Sequence, residues 1–246
     1  MHSSRRRKKM TFYKSLVTLK DPQVLEQFKI ITKSKPWYER NSIQIISGEK
    51  YLRIKRAIDI VASLFLIILV LPVLLLCAIA IRIDSRGPIF FLQERTGYAG
   101  QRFKMLKLRT MREDAELLKA KLMHLNTLQY PDFKIPDDPR ITTVGKFLRK
   151  TSLDELPQIF NVLIGNMSLI GPRPTSFHPS TYKIWHTVRL EIKPGVTGLW
   201  QVTGRGDVEF DERIRLDYAY MQNVSLGLDI RILLRTFTSV LRREGV

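Results

Sequence analysis

A run of 22 residues, Ile60 to Ile81 (IVASLFLIILVLPVLLLCAIAI), carries no charge and one hydroxyl, Ser63. About 20 consecutive apolar residues suffice to cross the roughly 30 Å hydrocarbon core of a bilayer. A soluble helix keeps a polar face toward water, so one of this length that is apolar all round belongs in lipid. The run therefore predicts a membrane-embedded helix, around which the rest of the chain must be arranged. Pro72 sits at its centre. Proline lacks the N–H that bonds one turn back, so a kink or break is expected there.

Basic residues stand at both ends of the run: Arg53, Lys55 and Arg56 before it, Arg82 and Arg86 after it. Lys and Arg favour the cytoplasmic side of a membrane. A helix that spans satisfies this preference at one end. A helix that enters, bends at Pro72 and returns satisfies it at both. The residues alone leave both topologies open. No second run of this length follows. Leu226 to Leu241 and Asp114 to Leu128 have apolar residues at helical spacing, and such helices either pack on a core or lie in the head-group layer.

Lys and Arg number 41 against 23 Asp and Glu, a net charge of +18. That balance favours an anionic partner: nucleic acid, anionic lipid or a phosphorylated substrate. One cysteine, Cys77, excludes a disulfide framework and a cysteine-based zinc site. His2, His124, His178 and His186 show no metal-ligand spacing and read as surface or packing residues. The N-terminal basic cluster Arg5 to Lys9 is not followed by the apolar stretch of a signal peptide. Three regions follow: a basic N-terminal extension over 1–50, the membrane element over 51–86, and a larger domain over 87–246. Within the last, IFFLQERTG and RFKMLKLRTM predict a β-hairpin. ITTVGKFLRK predicts a short helix, Tyr130 to Arg140 a proline-rich loop, and KPGVTGLWQVTGRGD a loop before the final helices.

Chemistry concentrates in TSLDELPQIFNVLIGNMSLIGPRP, Thr151 to Pro174, where Asp154 and Glu155 stand side by side in a strongly basic chain. Ser152 and Glu155 fit the S-x-x-E capping box, in which the two side chains satisfy the free N–H groups of a helix start. Pro157 weakens that register, since it removes a backbone donor. Capping and catalysis are both open on the residues alone, and a helix start suits an acid facing phosphate chemistry. Arg149, Arg173 between two prolines and Arg205 in a Gly-shaped loop supply guanidinium groups that grip phosphate with paired hydrogen bonds. Two carboxylates beside phosphates also suit Mg²⁺, a hard cation that shares its shell between protein and substrate.

Five segments in order, KRAIDI with the apolar run, GPIFFLQERTG, FKMLKLRTM, DDPRITTVGKFLRKTSLDELPQIFNVLIGNMSLIGPRP and KPGVTGLWQVTGR, closely resemble the bacterial sugar transferases. These are monotopic phosphoglycosyl transferases acting on undecaprenyl phosphate, and the likeness runs from about Leu52 to the C-terminus. The resemblance implies an α+β, predominantly helical fold: a monotopic membrane protein with a re-entrant helix–break–helix at Pro72, amphipathic interfacial helices and a small β-hairpin. It implies transfer of a sugar-1-phosphate from a UDP-sugar to undecaprenyl phosphate at the cytoplasmic face of the bacterial inner membrane, releasing UMP. Asp154 is the implied nucleophile, forming an aspartyl phosphosugar intermediate, and Glu155 its catalytic neighbour. Both are implied ligands of Mg²⁺. Arg149, Arg173, Arg205, Lys107 and Arg109 are the implied substrate-binding residues. An anionic membrane surface is the implied partner, a homodimer is compatible with the family, and nucleic acid is not expected. The chain departs from the family pattern at Leu71-Pro72, where several members have Ser-Pro, and in carrying only about 50 residues before the core. A basic membrane-anchored module without turnover and a hexosyltransferase releasing UDP are the competing readings.

Overall fold

The structure is a computed structural model that describes residues 49–127, 135–203 and 209–241. The N-terminal extension, Arg205 and part of the proline-rich loop lie outside the described residues. Element order is a long helix, a hairpin, a set of short helices with a two-stranded parallel pair, and two closing helices.

Helix α1 spans Glu49–Asp84 and remains helical through Pro72. It is the one described helix long and apolar enough to cross a membrane. Helical structure continues across Pro72, which offers no donor to the turn before it and so weakens the helix at that point. Burial is confined to one side. Tyr51, Lys55, Asp59, Ser63, Leu74, Cys77 and Ile81 are buried, three or four residues apart within each half, as one helix face requires. Val61, Phe65, Ile68, Leu69, Leu75, Leu76 and Ile83 are more than half exposed on the remaining faces. An apolar surface of this extent is far larger than a water-soluble monomer ordinarily shows.

Both ends of α1 are tied to the same domain. Near its start, Asp229 accepts from Tyr51 Oη at 2.7 Å, Lys55 Nζ at 2.6 Å and Tyr220 Oη at 2.7 Å. Asp59 accepts from Ser168 Oγ at 3.1 Å and from the Leu169 amide at 3.0 Å. Arg56 donates to the carbonyls of Val162 and Leu163 at 2.6 and 2.7 Å. Near its end, Leu74, Cys77 and Ile81 join Leu108 and Leu148 in one apolar cluster. Lys55 and Arg56 were expected as a basic flank on the cytoplasmic side of the membrane. Instead they are internal ties, because their donors meet protein oxygens that would otherwise be buried without partners.

Strands β1 (Phe90–Thr96) and β2 (Arg102–Leu108) form the expected antiparallel hairpin, in the register Phe91 opposite Lys107, Gln93 opposite Met105 and Arg95 opposite Phe103. A short helix α2 (Ala115–Lys119) follows, continued by a 3₁₀ segment to Leu125. Helix α3 spans Thr143–Lys150 and is capped by Thr142 Oγ1, which accepts from the Gly145 amide at 3.0 Å. Gly145 is obligatory for packing, since a Cβ there would sit 2.0 Å from the Thr110 carbonyl oxygen. Helix α4 spans Gln158–Ile164.

Strands β3 (Ser168–Ile170) and β4 (Gly195–Thr197) run parallel, a pairing the sequence reading did not anticipate. Gly171 and Gly195 cross backbone to backbone, and a Cβ on Gly195 would lie 2.1 Å from the Gly171 nitrogen. The Gly-rich tail, expected as loop, is therefore a strand followed by helix α5 (Leu199–Thr203). Helices α6 (Phe210–Gln222) and α7 (Leu226–Leu241) close the domain, with Leu216, Tyr220, Leu228 and Ile232 packed on Ile170 and Leu199.

Asp229 gathers a cation and two phenols at a buried position, so removing its carboxylate strands a buried ammonium. Asp229→Ala is expected to cost about 3–5 kcal/mol, read as a lower unfolding midpoint of the detergent-solubilised protein; an unchanged midpoint contradicts this role.

Candidate active site

Lys107 leaves the β2 strand on the face shared with Phe91, as cross-strand partners do. Asn161 fixes that strand against α4: its Oδ1 accepts from the Leu106 amide at 2.8 Å and its Nδ2 donates to the Lys104 carbonyl at 2.9 Å. Asn161 is 3% exposed and interrupts an apolar run of the helix, and that was the available signal for a positioning role. Asp154 and Glu155 lie in a 3₁₀ turn, Leu153–Glu155, just before α4. The clamp thus sets β2 and the acidic turn in one frame.

The capping box is not formed. Ser152 has a left-handed backbone, φ 57°, and its side chain caps nothing. Glu155 turns away from the helix start and binds two cations. Lys107 Nζ donates to Glu155 Oε1 at 2.9 Å. Arg173 donates through Nη1 to Oε2 at 3.1 Å and through Nη2 to Oε1, a two-pronged pair. Burial pushes the Glu155 carboxyl up, but Arg173 and Lys107 together outweigh it and hold the group well below the usual glutamate range. The position of Arg173 is itself fixed. Arg189 Nη2 donates to the Arg173 carbonyl at 2.6 Å while pairing with Asp217 at 2.9 Å.

Asp154 has the opposite environment. It is 8% exposed, and its carboxylate has no hydrogen-bond partner among the described residues. Lys107 Nζ stands 4.0 Å from its Oδ2, too far for a hydrogen bond. Burial pushes the Asp154 carboxyl up, Lys107 pulls it down, and the adjacent Glu155 charge pushes it up again, for a net rise. Arg149 donates through Nε to Thr110 Oγ1 at 2.9 Å, which leaves the ends of its guanidinium toward the cleft. The adjacent carboxylates have thus separated in role: one is neutralised, the other is left ionisable and uncommitted.

These groups line one cleft of about 1040 Å³, with Lys107, Arg149, Asp154, Glu155 and Arg173 on its wall. A smaller cavity beside Asp84, Arg112 and Thr142 holds none of them. Arg109 also lines this cleft, but its shortest hydrogen bonds run to backbone. Its guanidinium donates to the Arg86 carbonyl at 2.5 Å and the Ser85 carbonyl at 2.7 Å, where it holds the exit from α1. Arg205 lies outside the described residues. Among the histidines, His186 is buried against Trp185 and Phe210 and pairs with Asp211 at 3.0 Å, a packing position as expected.

Glu155 is the counter-charge that permits Lys107 and Arg173 to share this wall. Glu155→Gln is expected to lower stability by about 3–5 kcal/mol, since it leaves buried cations unpaired. The depressed carboxyl makes its contribution complete above the unfolded glutamate value near 4.3 and loses it only as pH falls toward the lower folded value. Unfolding midpoints of wild type and variant at several pH values check both statements. A gap between them that stays constant from neutral pH to strong acid refutes the linkage.

The model of a family described as bacterial sugar transferase matches residues 50–243. The galactosyl transferase CpsE of Streptococcus agalactiae is 40% identical over 225 residues, covering 91% of this chain and 48% of its own length. The undecaprenyl-phosphate galactose phosphotransferase of Salmonella typhimurium is 43% identical over 197 residues, 78% of this chain and 41% of that protein. The UDP-glucose:undecaprenyl-phosphate glucose-1-phosphate transferase of Caulobacter vibrioides is 44% identical over 204 residues, 78% of this chain and 71% of its own. This chain therefore spans less than half the length of the first two. The match encloses the acidic turn, the hairpin and nearly all of α1, and the chain belongs to the bacterial sugar transferase family.

Proposed function

We propose that this chain transfers a sugar-1-phosphate from a UDP-sugar to undecaprenyl phosphate and releases UMP. The observation that carries the reading is the uncommitted, buried carboxylate of Asp154 beside cations already balanced by Glu155. The names of the related proteins from Salmonella and Caulobacter specify the same lipid carrier, and the latter a UDP-sugar donor.

In the first step an Asp154 oxygen attacks the sugar-bearing β-phosphorus. An acyl-phosphate P–O bond forms, the bond from that phosphorus to the bridging oxygen breaks, and its electrons leave on UMP. In the second step a phosphate oxygen of the lipid attacks the same phosphorus and Asp154 departs as carboxylate. Two easier displacements replace one difficult one. Desolvation of Asp154 favours this role, because a carboxylate without hydrogen bonds keeps its lone pairs for phosphorus. Lys107, Arg149 and Arg173 bind the phosphate oxygens and stabilise the charge that builds on them.

The fit to Mg²⁺ is that of a shared site. No group of three or more acidic, histidine or cysteine side chains is found among the described residues. Asp154 presents free oxygens, while those of Glu155 are occupied by Lys107 and Arg173. Mg²⁺ commonly takes one or two carboxylates and completes its shell with phosphate and water, which suits this pair. When bound, it would neutralise charge on the pyrophosphate.

The same reading makes α1 re-entrant. Lys55 at its start binds Asp229 and Ile81 at its end packs on Leu148, so both ends meet one domain. A polar domain on one side of a bilayer reaches both ends only when the helix does not cross. Along α7, Ile230, Leu233, Leu234 and Phe237 are exposed at helical spacing and would extend the lipid-facing surface. Lys50, Arg82 and Arg86 are exposed at the ends of α1, where anionic head groups and the cytoplasmic side are the expected surroundings.

Radiolabelled UDP-sugars supplied with undecaprenyl phosphate and Mg²⁺ should give labelled lipid and UMP. UDP as product would favour a hexosyltransferase, and no turnover on a panel of UDP-sugars would favour a binding module. Asp154→Asn should abolish transfer without lowering the unfolding midpoint, and full activity in it defeats the nucleophile assignment. The acid limb of the wild-type rate profile should lie above the ordinary aspartate range near 3.9. Lys107→Gln should move that limb higher still. For topology, single cysteines at positions 50 and 86 in a Cys77→Ser background should react from the same side of sealed vesicles; reaction from opposite sides rejects the re-entrant form.

A further inference from the structure

Arg95, Lys107, Arg149 and Arg173 are among the cations on the wall of the cleft, and Asp154 and Glu155 are among its carboxylates. Lys107 and Arg173 are bound to the Glu155 carboxylate and Arg149 to the Thr110 hydroxyl, while Arg95 is bound to a neutral amide among the described residues. Strand alternation and the hairpin register put Gln93, Arg95 and Lys107 on one face, and all three line the cleft. Arg95 Nη2 donates to Gln93 Oε1 at 2.5 Å. Its Nε is buried and meets no acceptor among the described residues. Burial is the main influence on this guanidinium, and the positive charge of Arg173 opposes it further, so its pKa is pushed down to about 10. An arginine with a buried N–H unspent, next to another arginine, is an arrangement proteins avoid unless an anion completes it.

We infer that Arg95, held by Gln93, forms a second phosphate subsite of the cleft that takes the α-phosphate of the nucleotide. The inference rests on the proposed reaction and names a residue that the sequence reading passed over. In the hairpin register Arg95 stands opposite Phe103, four residues along the shared face from Phe91, which pairs with Lys107. Lys107 Nζ, in turn, stands 4.0 Å from Asp154 Oδ2. Arg95 is thus set along the hairpin face from the cation beside Asp154, and the phosphate it takes is the one that Asp154 does not attack. A nucleoside diphosphate sugar has one such second phosphate, the part that leaves as UMP. In the return step the lipid phosphate reaches the same phosphorus after UMP has gone, so Arg95 serves the acceptor as well.

The test compares wild type, Arg95→Ala, Arg95→Lys and Gln93→Ala. Arg95→Ala should lower kcat/KM for the UDP-sugar by about ten- to hundredfold, the range for a lost charge-assisted hydrogen bond. Lysine should restore part of that, because it returns the charge without the fork. Gln93→Ala should raise KM for the UDP-sugar with kcat little changed. A direct readout is UDP binding to Asp154→Asn protein by calorimetry, where adding Arg95→Ala should weaken UDP at least tenfold and leave uridine unaffected. UDP affinity within twofold in both backgrounds overturns the inference, as does equal weakening of uridine and UDP. An unfolding midpoint for each variant separates lost binding from lost fold, with Arg95→Lys as the folded substitute should alanine unfold. Failure of wild type to release UMP from any UDP-sugar defeats the proposed reaction itself. UMP release by wild type with unchanged UDP binding in the Arg95 variants defeats only this subsite.

Discussion

The Glu155 carboxylate, shared between Lys107 and Arg173, is the interaction on which the site depends. It joins three segments far apart in the chain: the β2 strand, the acidic turn and the loop after β3. Like charges brought together in a partly buried cleft repel, and without an acid between them the loop carrying Arg173 would be driven from the hairpin. Cations assembled around a permanent counter-charge are held in place before any substrate arrives. Electrostatic catalysis needs that condition, since donors already oriented require no rearrangement during reaction.

Equally strict is the way the apolar helix is held. An aspartate, a lysine and a tyrosine on a lipid-facing helix are expensive unless each finds a partner in protein. Asp59, Lys55 and Tyr51 all find one, in β3 and in Asp229 of α7. Exposed faces of α1 carry the apolar bulk, and its narrow buried side carries the polar ties. The helix therefore belongs to the domain as a wall of it. Asp229 also binds Tyr220, so the membrane element, α6 and α7 meet at one carboxylate.

The hairpin, the membrane helix, the short helix near 141–150 and the closing helices were legible because each is local: alternation, apolar run or helical spacing. The special status of Asp154 and Glu155 was legible as two acids in a basic chain. What the sequence could not reveal was their division of labour, because Glu155 is neutralised by residues 48 and 18 positions away. The expected capping by Ser152 failed for the same reason: once Glu155 is drawn to distant cations, its half of the box is gone. Arg109 looked equivalent to Lys107, two residues away, but its target is the backbone leaving α1. The β3–β4 pair escaped notice because three-residue strands separated by a long excursion leave no periodic signal, only glycines where the two chains touch.

The single buried side of α1 has a consequence for how such a chain can change over time. Each added residue turns a helix by about 100°. An insertion between Ser63 and Leu74 would rotate Leu74, Cys77 and Ile81 off the domain while Tyr51, Lys55 and Asp59 stayed on it. The membrane helix is thus a phased component whose length is locked to the domain it packs on. Bilayers of different thickness must be met by exchanging side chains on its outer faces, with the residue count held fixed.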